Sequence, residues 1–444
     1  MAQGTCQALA RAIPAIGVKM KTVSRILLCC ENYPPSVGGV QEVMRQIAER
    51  LAAKGHAVTV ATSPHPQRPA DAIRNGVRVV SFAVTGNRVK GISGLVAQYQ
   101  AFLQQGFDAI LIKAAQQWTF DAATDILPAI TARKFFIPCG FSGLNNPNYA
   151  RYFRDMPQWL RLFDGLIFYS NDYQDIRFAR KHGLTRLHWI PNGVDEREFA
   201  DTDPRDIRKV LGISEDHYLL LSVGSLIAAK GHWEVLRAFG QARFTHPTTL
   251  VINGNVPGSN SRMVLKRTLK HAFSGRLPLV WEAFWIDARY KNAEPSKRVL
   301  ITDLTRPNLV NLYKSADLFV FASHVEYSPL VLFEAAASKT PFLASSAGNS
   351  QEISAWTGGG RVMLPQRAGS AELSIPELAQ QMVEMTSDKL PMSQQGEIAC
   401  TSIFQKGFTW ADIVNKYEVL LAKPLKLTAT SFSADRVKGN PTEC

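Results

Sequence analysis

Short apolar runs alternate along the chain with segments whose apolar residues recur at helical spacing. The run SRILLCC has the length of a strand, and the stretch GVQEVMRQIAERLAAKG after it places Val43, Ile47 and Leu51 on one face of a predicted helix that stops at Gly55. Alternation of this kind is typical of βαβ units, in which helices connect parallel strands. The pattern therefore predicts an α/β protein with parallel sheets.

The strand-sized runs fall into two series. SRILLCC is followed by HAVTVATS, VRVVSF, DAILIK, KFFIPCG and DGLIFYS, and the second series consists of YLLLSVG, TLVING, ADLFVFAS and TPFLASS. The stretch HWIPNGVDEREFADTDPRD between the series is rich in Pro, Asn, Gly and Asp, which is typical of a linker. We expect two doubly wound domains that face each other across a cleft, with ligands at the carboxyl ends of their strands.

The composition agrees with two globular cores. The chain has 444 residues, of which 46% are hydrophobic and 20% are charged, so it is not a disordered or fibrous protein. The six cysteines are scattered without metal-ligand spacing, so we expect a reducing compartment and neither a zinc site nor disulfides. No apolar run approaches the roughly 20 residues of a membrane span. Arg11 and Pro14 interrupt a signal-peptide core, so Met20 is the expected start, with a short targeting arm as the alternative.

The net charge of +13 is unevenly distributed. Residues 1–200 hold 23 Lys and Arg against 14 Asp and Glu, and residues 251–300 hold nine against three. Such basic regions attract phosphates, nucleic acid or an anionic membrane surface. No nucleic-acid recognition motif accompanies the charge, and neither G-x-G-x-x-G after the first strand nor a Walker motif is present. A nucleic-acid partner and a dinucleotide dehydrogenase are therefore set aside.

The stretch HVEYSPLVLFEAAASKTP contains two acids, Glu326 and Glu334, separated by seven residues. We expect Ser328 to cap a helix and Pro329 to be its first residue. The free N–H groups at that helix start would face the cleft and could bind an anion such as a diphosphate. Glu326 would lie at the mouth of this site, and Glu334 could accept hydrogen bonds from a vicinal diol. Taken alone, the spacing fits a solvated loop acid and an ordinary helix glutamate equally well.

A second stretch, SVGSLIAAKGHWEVLRAF, combines a strand, a glycine turn, a lysine and a second glycine before a helix. Together with E-x7-E it resembles the GT-B nucleotide-sugar glycosyltransferases of family four (glycosyl transferases group 1). YPPSVGGVQEVMRQIAERLAAKGHAVTVATS, IPNGVDEREF and FTWADIVNKYEVLLA fit the same family in the same order, over residues 24–422. The resemblance implies two Rossmann-like domains and transfer of a sugar from a nucleoside-diphosphate sugar with retention of its anomeric configuration.

The resemblance also implies roles for individual residues. Glu334 resembles the acid that binds the ribose, Glu326 the acid that meets the donor sugar, and Lys230 the cation that holds the diphosphate. Gly38 and Gly39 resemble glycines whose backbone approaches the donor phosphate and the acceptor, because no Cβ intervenes.

Lys230 and the backbone N–H groups of Leu330 and Val331 would then stabilise the charge that develops on the departing diphosphate. No essential metal or other cofactor is implied, and both UDP- and GDP-linked donors remain open. The D-x-D of Asp201 and Asp203 lies in the predicted linker and is interpreted as a helix start rather than a metal site.

The sequence departs from the family pattern in the donor site. Ser225 occupies the position of an arginine that usually pairs with the lysine, so charge for the donor must come from elsewhere. Pro329 occupies the position of a glycine and removes one backbone N–H. Replacement charge could come from a basic insertion at about 256–300, whose candidates are Arg262, Lys266 and Arg267; a solvated basic helix is the alternative.

The family's histidine after the fourth strand is also absent from FDAILIKAAQQWTF. Gln116 is the first candidate to replace its hydrogen bond near the sugar, with Gln117 and Lys113 as alternatives. These departures leave a rival hypothesis, a catalytically weak or silent GT-B protein that binds a nucleotide sugar or partners an active transferase.

The domain organisation expected from the resemblance has five parts. A disordered extension (1–22) precedes an acceptor-binding domain (23–195) and a donor-binding domain (196–405); a closing helix (406–422) packs back on the first domain, and a mobile tail (423–444) follows. The domains would close on the donor about a hinge near residues 191–193.

The acceptor is expected to be a glycan or a lipid-diphosphate-linked glycan, by analogy in bacterial exopolysaccharide, capsule or O-antigen assembly. The stretch YARYFRDMPQWLRLF, with Arg151, Arg154, Trp159 and Arg161, could dock on an anionic membrane; the alternative is an amphipathic helix whose Phe153, Trp159 and Leu160 face the core. We therefore expect a cytoplasmic protein, with a peripheral position at the inner face of the membrane as an open alternative.

Overall fold

The computed structural model of the protein describes residues 23–200, 206–254, 279–365 and 373–422. Its strands are β1 (Arg25–Cys29), β2 (Ala57–Thr62), β3 (Asp71–Arg74), β4 (Val77–Ser81), β5 (Val84–Asn87), β6 (Gly91–Gly94), β7 (Ala109–Lys113), β8 (Arg133–Ile137), β9 (Gly165–Phe168), β10 (Leu187–Trp189), β11 (Tyr218–Val223), β12 (Thr248–Asn253), β13 (Lys297–Thr302), β14 (Leu318–Phe321), β15 (Phe342–Ser345) and β16 (Gly360–Met363).

The helices flank these strands in the same part of the chain. They are α1 (Gly39–Ala53), α2 (Val96–Leu103), α3 (Trp118–Asp121), α4 (Ala150–Leu160), α5 (Gln174–Lys181), α6 (Glu196–Ala200), α7 (Ile207–Leu211), α8 (His232–Gln241), α9 (Leu279–Tyr290), α10 (Arg306–Ser315), α11 (Leu330–Ala337), α12 (Ser350–Thr357), α13 (Ile375–Met385), α14 (Lys389–Gln405) and α15 (Trp410–Leu421).

The strands form two large sheets. The first has the order β10-β9-β8-β7-β1-β2-β4-β3 and is parallel except for β3, which pairs antiparallel with β4. The second has the order β13-β12-β11-β14-β15-β16 and is parallel throughout. β5 and β6 form a separate antiparallel hairpin. Each large sheet reverses its strand order once, at β1/β7 and at β11/β14, as doubly wound sheets do.

Both faces of each central strand are buried, which explains their continuous apolar sequences. In β1, Leu27 and Cys29 contact one core while Ile26 and Leu28 contact the other. The strands of the second sheet divide between two further cores in the same alternating way. The α/β architecture of two doubly wound, Rossmann-like units is thus the one that the sequence predicts. We call them the first unit and the second unit.

Six strands of the described chain lie outside the runs that the sequence predicts: β3, β5, β6, β10, β13 and β16. β10 begins one residue before the predicted linker and extends into it, and β13 begins inside the predicted basic insertion, where the segment from Lys297 onward is a strand of the second sheet. Because β13 begins with Lys297 and Arg298, it lacks the continuous apolar run from which strands were predicted. The buried ammonium of Lys297 nevertheless has polar partners, because it donates to the carbonyls of Gly240 and Ala242 behind the end of α8.

The last helix, α15, crosses back from the second unit to the first. Trp410, Ile413, Val414 and Tyr417 are buried in a core of the first sheet. Arg133 of β8 donates to the last carbonyls of α15, at 2.8 Å from the oxygens of Leu420 and Leu421 and from that of Ala422. These contacts match the arrangement that the family resemblance implies.

The two chain crossings between the units run side by side. The Val194 N–H donates to the Phe408 carbonyl at 3.0 Å, and the Trp410 N–H donates to the Val194 carbonyl at 2.8 Å. A Cβ on Gly193 would lie 2.4 Å from the Phe408 oxygen, so only glycine permits this approach. The hinge proposed near residues 191–193 is therefore buried against the second crossing.

Several sequence predictions fall outside the described residues. They are the N-terminal extension (1–22), the D-x-D of Asp201 and Asp203, the basic candidates Arg262, Lys266 and Arg267, and the tail (423–444). Within the described ranges, no helix has both the length and the apolar character that a membrane crossing requires.

Candidate functional site

A cavity of about 530 Å³ lies between the carboxyl ends of the two sheets. Its walls come from segments that follow β1, β7 and β8 in the first unit and β11 and β14 in the second, so it lies at both points where the strand order reverses. We call it the cleft. Nine of the residues singled out from the sequence line it: Gly38, Gly39, Lys113, Gln116, Ser225, Lys230, Glu326, Leu330 and Val331.

Lys230 and Glu326 form an ion pair in the cleft through Lys230 Nζ and Glu326 Oε1. Lys230 ends a single 3₁₀ turn, and Gly231 after it has a φ of +69°. A Cβ on Gly231 would lie 1.9 Å from the Ala322 oxygen, so glycine lets the lysine loop lie directly against the end of β14. The Ser323 hydroxyl donates to Glu326 Oε1 at 3.2 Å and so contributes to its position.

The helix after Glu326 begins one residue later than the sequence predicts. Pro329 is the residue before the helix, with extended backbone angles (φ −69°, ψ 113°), and Leu330 is the first helical residue. The expectation that Ser328 caps the helix is wrong, because Pro329 itself has extended backbone angles and takes the N-cap position. Since Pro329 lies before the first turn, its missing N–H takes no donor from the helix start, and the N–H groups of Leu330 and Val331 remain there. Both residues line the cleft, where such unpaired first-turn donors favour an anion.

Glu334 does not line the cleft with the other predicted residues. Its carboxylate pairs with Arg306 of α10 at 2.8 Å, and its side chain is only 12% exposed. Arg306 also pairs with Glu198 at 2.7 Å. Burial alone would lower the pKa of Arg306, but Glu334 and Glu198 raise it above its ordinary value. Sequence analysis missed Arg306, which lies 28 positions from Glu334 along the chain and carries no local motif.

Lys113 is the last residue of β7, and Gln116 follows the strand in the segment where the family has its histidine. Lys113 is buried, its ammonium donates to the Tyr169 hydroxyl at 2.7 Å, and burial lowers its pKa. The side-chain oxygen of Gln116 accepts a hydrogen bond from the Gly143 N–H at 3.1 Å, and the backbone N–H of Gln116 donates to the Tyr152 hydroxyl at 2.8 Å. Gln116 therefore holds two loops of the first unit together.

Backbone strain is concentrated at the cleft. Ala114, Gln116, Cys139 and Phe141 all have positive φ, between 51° and 70°, although none is glycine, and all four line the cavity. A non-glycine residue in this conformation costs roughly 1–3 kcal/mol, and such residues occur preferentially at functional sites. The loops after β7 and β8 are thus held in a conformation that the surrounding structure must stabilise.

Three buried polar atoms on the cleft wall have no hydrogen-bond partner among the described residues. They are Gln117 Oε1, Asn192 Oδ1 and Ser328 Oγ. A buried polar atom without a partner costs roughly 1–3 kcal/mol, so these atoms are suited to hydrogen bonds with a ligand. Sequence analysis placed Asn192 only in a linker, because PNG is also an ordinary turn sequence.

The loop that carries Glu326 is fixed by the first unit. Tyr327 packs between Tyr169 and Tyr173, with ring centroids 5.2 and 5.3 Å away. The Tyr169 N–H donates to the Tyr327 hydroxyl at 3.0 Å, and the Tyr173 hydroxyl donates to the Glu326 carbonyl at 3.1 Å. We call Tyr169, Tyr173 and Tyr327 the tyrosine cluster. It joins the two units directly beside the candidate site.

A second groove opens beside the cleft in the first unit. It measures about 660 Å³ and shares Gln116 and Ser142 with the cleft. Its other residues are mostly neutral and polar, and we call it the side groove: Val89, Lys90, Gly143, Asn146, Asn148 and Tyr149. The two spaces therefore adjoin at Gln116 and Ser142.

The helix suggested for membrane docking, α4, has its apolar residues inside. Phe153 and Leu160 are buried, and Trp159 is half-buried beneath the guanidinium of Arg88, 5.1 Å from its ring centroid. The core-facing alternative is therefore the one that the structure shows, because the hydrophobic face of α4 belongs to the first unit's core.

No group of three or more His, Cys, Asp or Glu side chains suitable for a metal ion occurs in residues 23–200, 206–254, 279–365 or 373–422. The cleft instead offers an ammonium, backbone N–H groups and a carboxylate.

Comparison with known proteins agrees with this geometry. The model of Glycosyltransferase Family 4 matches residues 37–198, and that of Glycosyl transferases group 1 matches residues 203–378. Glycogen synthase of Mycobacterium tuberculosis is 29% identical over 358 residues, 73% of this chain and 78% of the synthase. The Escherichia coli UDP-Gal:alpha-D-GlcNAc-diphosphoundecaprenol alpha-1,3-galactosyltransferase is 23% identical over 345 residues, 73% of this chain and 80% of that enzyme.

Solved structures share the fold. Sucrose-phosphate synthase from Thermosynechococcus elongatus superposes with a TM-score of 0.67 at 19% identity, over 89% of this chain and 97% of that one. Anabaena Alr3699/HepE, solved with UDP and glucose, gives 0.64 at 17% identity, over 90% of this chain and 100% of that one. Two Rossmann-like units facing across a ligand-sized cleft define a GT-B glycosyltransferase. The chain belongs to the family-four, group 1 glycosyltransferases.

Proposed function

We propose that this protein is a retaining hexosyltransferase that moves a sugar from a nucleoside-diphosphate sugar to a hydroxyl of a glycan or lipid-linked glycan. The observation that carries the proposal is the meeting of Lys230, Glu326 and the first turn of α11 in one cleft, at the point where both sheets reverse their strand order. The two units contribute to the cleft together, as transfer between two bound substrates requires.

The donor diphosphate would lie against Lys230 and the N–H groups of Leu330 and Val331. These groups face the position where negative charge grows as the nucleoside diphosphate leaves, and each well-placed donor is worth roughly 3–4 kcal/mol to the transition state. Glu326, held beside Lys230, would then meet hydroxyls of the sugar. We keep Glu334 as the ribose-binding acid; its ion pair with Arg306 would orient the carboxylate.

Charge for the diphosphate has to be supplied without the family's arginine, since Ser225 lines the cleft in its place. Lys230 and the helix start are the groups that we propose for this task, with no essential metal. The donor nucleoside, uridine or guanosine, is left to experiment.

Gln117 is the side chain that we propose as the replacement for the missing histidine. Gln116 ranked first from the sequence, but its amide oxygen is engaged with Gly143. The Gln117 oxygen is buried on the cleft wall without a partner among the described residues and can accept a hydroxyl of the donor sugar. Asn192 and Ser328 would complete the polar contacts.

The side groove is the proposed acceptor site. Neutral amides, a hydroxyl and the ring of Tyr149 are typical of surfaces that bind sugar hydroxyls, and Lys90 can meet a single anionic group. Because Gln116 and Ser142 belong to both spaces, an acceptor in the side groove would present a hydroxyl to the cleft. The galactosyltransferase among the relatives is named for a diphosphoundecaprenol-linked acceptor, which supports a role in bacterial surface polysaccharide assembly.

A turnover assay tests this proposal. Purified protein is incubated with UDP- and GDP-linked sugars and a panel of glycan acceptors, and released nucleoside diphosphate and the anomeric configuration of the product are measured. We expect acceptor-dependent release with retained configuration, lost in Glu326→Gln. Product of inverted configuration would contradict the retaining mechanism.

Gln117→Leu and Gln116→Leu are matched variants within the same assay. We expect Gln117→Leu to weaken the binding of the nucleotide sugar and to leave the affinity for the free nucleoside diphosphate unchanged, because Gln117 would contact the sugar. Binding of a nucleotide sugar without turnover on any acceptor would favour the silent, partner-subunit alternative.

A further inference from the structure

Helix α9 carries an exposed apolar surface on the second unit. Val280, Trp281, Phe284 and Trp285 are 54%, 56%, 60% and 61% exposed. Their positions differ by four residues in two pairs, so they lie together on one helix face. We call these four residues the aromatic stripe. Large apolar side chains grouped in this way mark an interaction surface, whereas isolated ones do not.

The opposite face fixes α9 to its own unit. Ala283 is buried, Glu282 pairs with Arg237 at 2.8 Å, and Asp287 pairs with Arg298 at 3.1 Å. Arg237 belongs to α8 and Arg298 to β13, so contacts with these two elements set the orientation of α9. The stripe faces outward as a consequence of these contacts rather than through a loose attachment.

Two exposed basic residues follow the stripe along the described chain: Arg289 lies in the last turn of α9, and Lys291 comes directly after the helix. The two acids of the helix, Glu282 and Asp287, are each paired with an arginine. Tryptophan prefers the headgroup level of a bilayer, and each Lys or Arg near an anionic surface adds attraction. A second copy docked face to face would bring the same positive charges against each other, so an anionic bilayer is the better match.

We propose that the aromatic stripe docks this protein on an anionic lipid bilayer, with the rings at headgroup depth and Arg289 and Lys291 beside the lipid phosphates. The surface lies on the second unit, whereas the sequence had suggested α4 of the first, whose apolar residues are buried. The proposal does not depend on the chemistry proposed for the cleft, because vesicle binding is measured without turnover.

Vesicle sedimentation tests the proposal with the full-length protein. The lipids are phosphatidylcholine alone and phosphatidylcholine with phosphatidylglycerol, at low and high salt. The stripe variant is Trp281→Ser, Phe284→Ser and Trp285→Ser together. Its matched control is Ile73→Ser, Leu390→Ser and Val419→Ser, which removes three apolar side chains elsewhere that are at least as exposed as those of the stripe.

We expect the wild type and the control to sediment with the anionic vesicles and to be released by salt. The stripe variant should bind these vesicles at least about tenfold more weakly. Arg289→Glu with Lys291→Glu, which leaves the stripe intact, should lose the preference for anionic lipid. This second variant keeps the test decisive if the triple variant does not fold, which thermal unfolding reports.

Four results would overturn the proposal. One is a wild type that does not bind anionic vesicles, and a second is a folded stripe variant that binds them as well as the wild type does. Another is a dimer in light scattering that dissociates in the stripe variant, which would assign the surface to a second copy. The last is shielding of Trp281 and Trp285 from acrylamide without vesicles, which would show that another part of the chain covers them.

Discussion

At the scale of single residues, Gly231 controls the distance between the lysine loop and the strand that leads to Glu326. Its φ of +69° and the 1.9 Å approach of a hypothetical Cβ to the Ala322 oxygen leave no room for a side chain. Lys230 and Glu326 are separated by 95 residues along the chain, so this contact is what places them side by side.

We predict that Gly231→Ala lowers both the free energy of unfolding and the affinity for a nucleoside diphosphate. Gly212→Ala is the matched control, because Gly212 has a φ of +64° but no atom within 4 Å of the new Cβ. Both variants carry the cost of a left-handed alanine, roughly 1–2 kcal/mol, but only Gly231→Ala should shift Lys230. Denaturant unfolding and calorimetry measure the two effects; equal nucleotide affinity in both variants would count against the positioning role.

Asp121 gives a pH dependence of known sign. Burial raises its pKa from 3.8 to about 6, although Tyr152 and Arg88 donate hydrogen bonds to it. Because the folded pKa is raised, folding favours the protonated form, and this contribution is complete below the unfolded pKa and is lost as the pH rises through about 6. The difference in the free energy of unfolding between the wild type and Asp121→Asn should therefore fall between about pH 4 and pH 6. Denaturant titrations over this range measure it, and a constant difference would show that the raised pKa is wrong.

Residue-level prediction from the sequence could select side chains that belong to motifs. Lys230 and Glu326 were selected from two separate motifs, and the structure places them in contact. The choice between Gln116 and Gln117 could not be made from the sequence. It depends on Gly143, which lies 27 positions from Gln116 along the chain and whose N–H donates to the side-chain oxygen of Gln116. Tyr327 and Arg306 likewise gain their importance from residues that are distant along the chain.

At the scale of elements, the first turn of α11 is the proposed anion site. Pro329 precedes the helix, so the N–H groups of Leu330 and Val331 stay available at the cleft wall. The positive end of the helix dipole adds to their effect on a diphosphate.

We predict that Val331→Pro weakens the binding of a nucleoside diphosphate about ten- to hundredfold relative to Val331→Ala. Proline is tolerated in the first turn of a helix but lacks the N–H, and a hydrogen bond to a charged group contributes roughly 1.5–3 kcal/mol. The alanine variant controls for the lost side chain. Calorimetry with thermal unfolding makes the comparison, and equal affinity in the two folded variants would exclude the helix start as the anion site.

Whether a strand could be predicted from the sequence depends on whether both of its faces are buried. Central strands such as β1 and β11 are buried on both faces and give continuous apolar runs, which the sequence analysis found. β13 and β16 lie at the edges of the second sheet, where one side has no neighbouring strand among the described residues and polar residues such as Lys297 and Arg361 are accommodated. These strands were missed because edge positions relax the apolar pattern.

At the scale of the whole molecule, the tyrosine cluster joins the units next to the cleft. Tyr327 of the second unit packs on Tyr169 and Tyr173 of the first, and Asp175 accepts a hydrogen bond from its hydroxyl. The position of Glu326 therefore depends on closure of the two units. The sequence predicted facing domains but contained no sign of this contact, since no motif marks it.

We predict that Tyr327→Phe makes the unliganded protein more open and lowers kcat as well as raising KM. Tyr99→Phe is the control, because its buried hydroxyl donates to the Thr119 carbonyl at 2.7 Å within the first unit. Tyr327→Phe removes the hydrogen bonds with the Tyr169 N–H and with Asp175, and Tyr99→Phe removes the one to Thr119, each worth about 1 kcal/mol. Only Tyr327→Phe should increase the radius of gyration in small-angle scattering. The same radius and kinetics in both variants would show that the cluster does not control closure.

The central claim, that the cleft binds a nucleoside-diphosphate donor, is tested most directly by calorimetry. Folded wild type, Lys230→Ala and Glu334→Ala are titrated with UDP, GDP and ADP and with their common sugar conjugates. We predict selective binding of one nucleoside diphosphate, weakened in Lys230→Ala through loss of the diphosphate contact and in Glu334→Ala through loss of the ribose contact. Absence of binding to every nucleotide by the folded wild type, or equal binding by all three proteins, would contradict the claim.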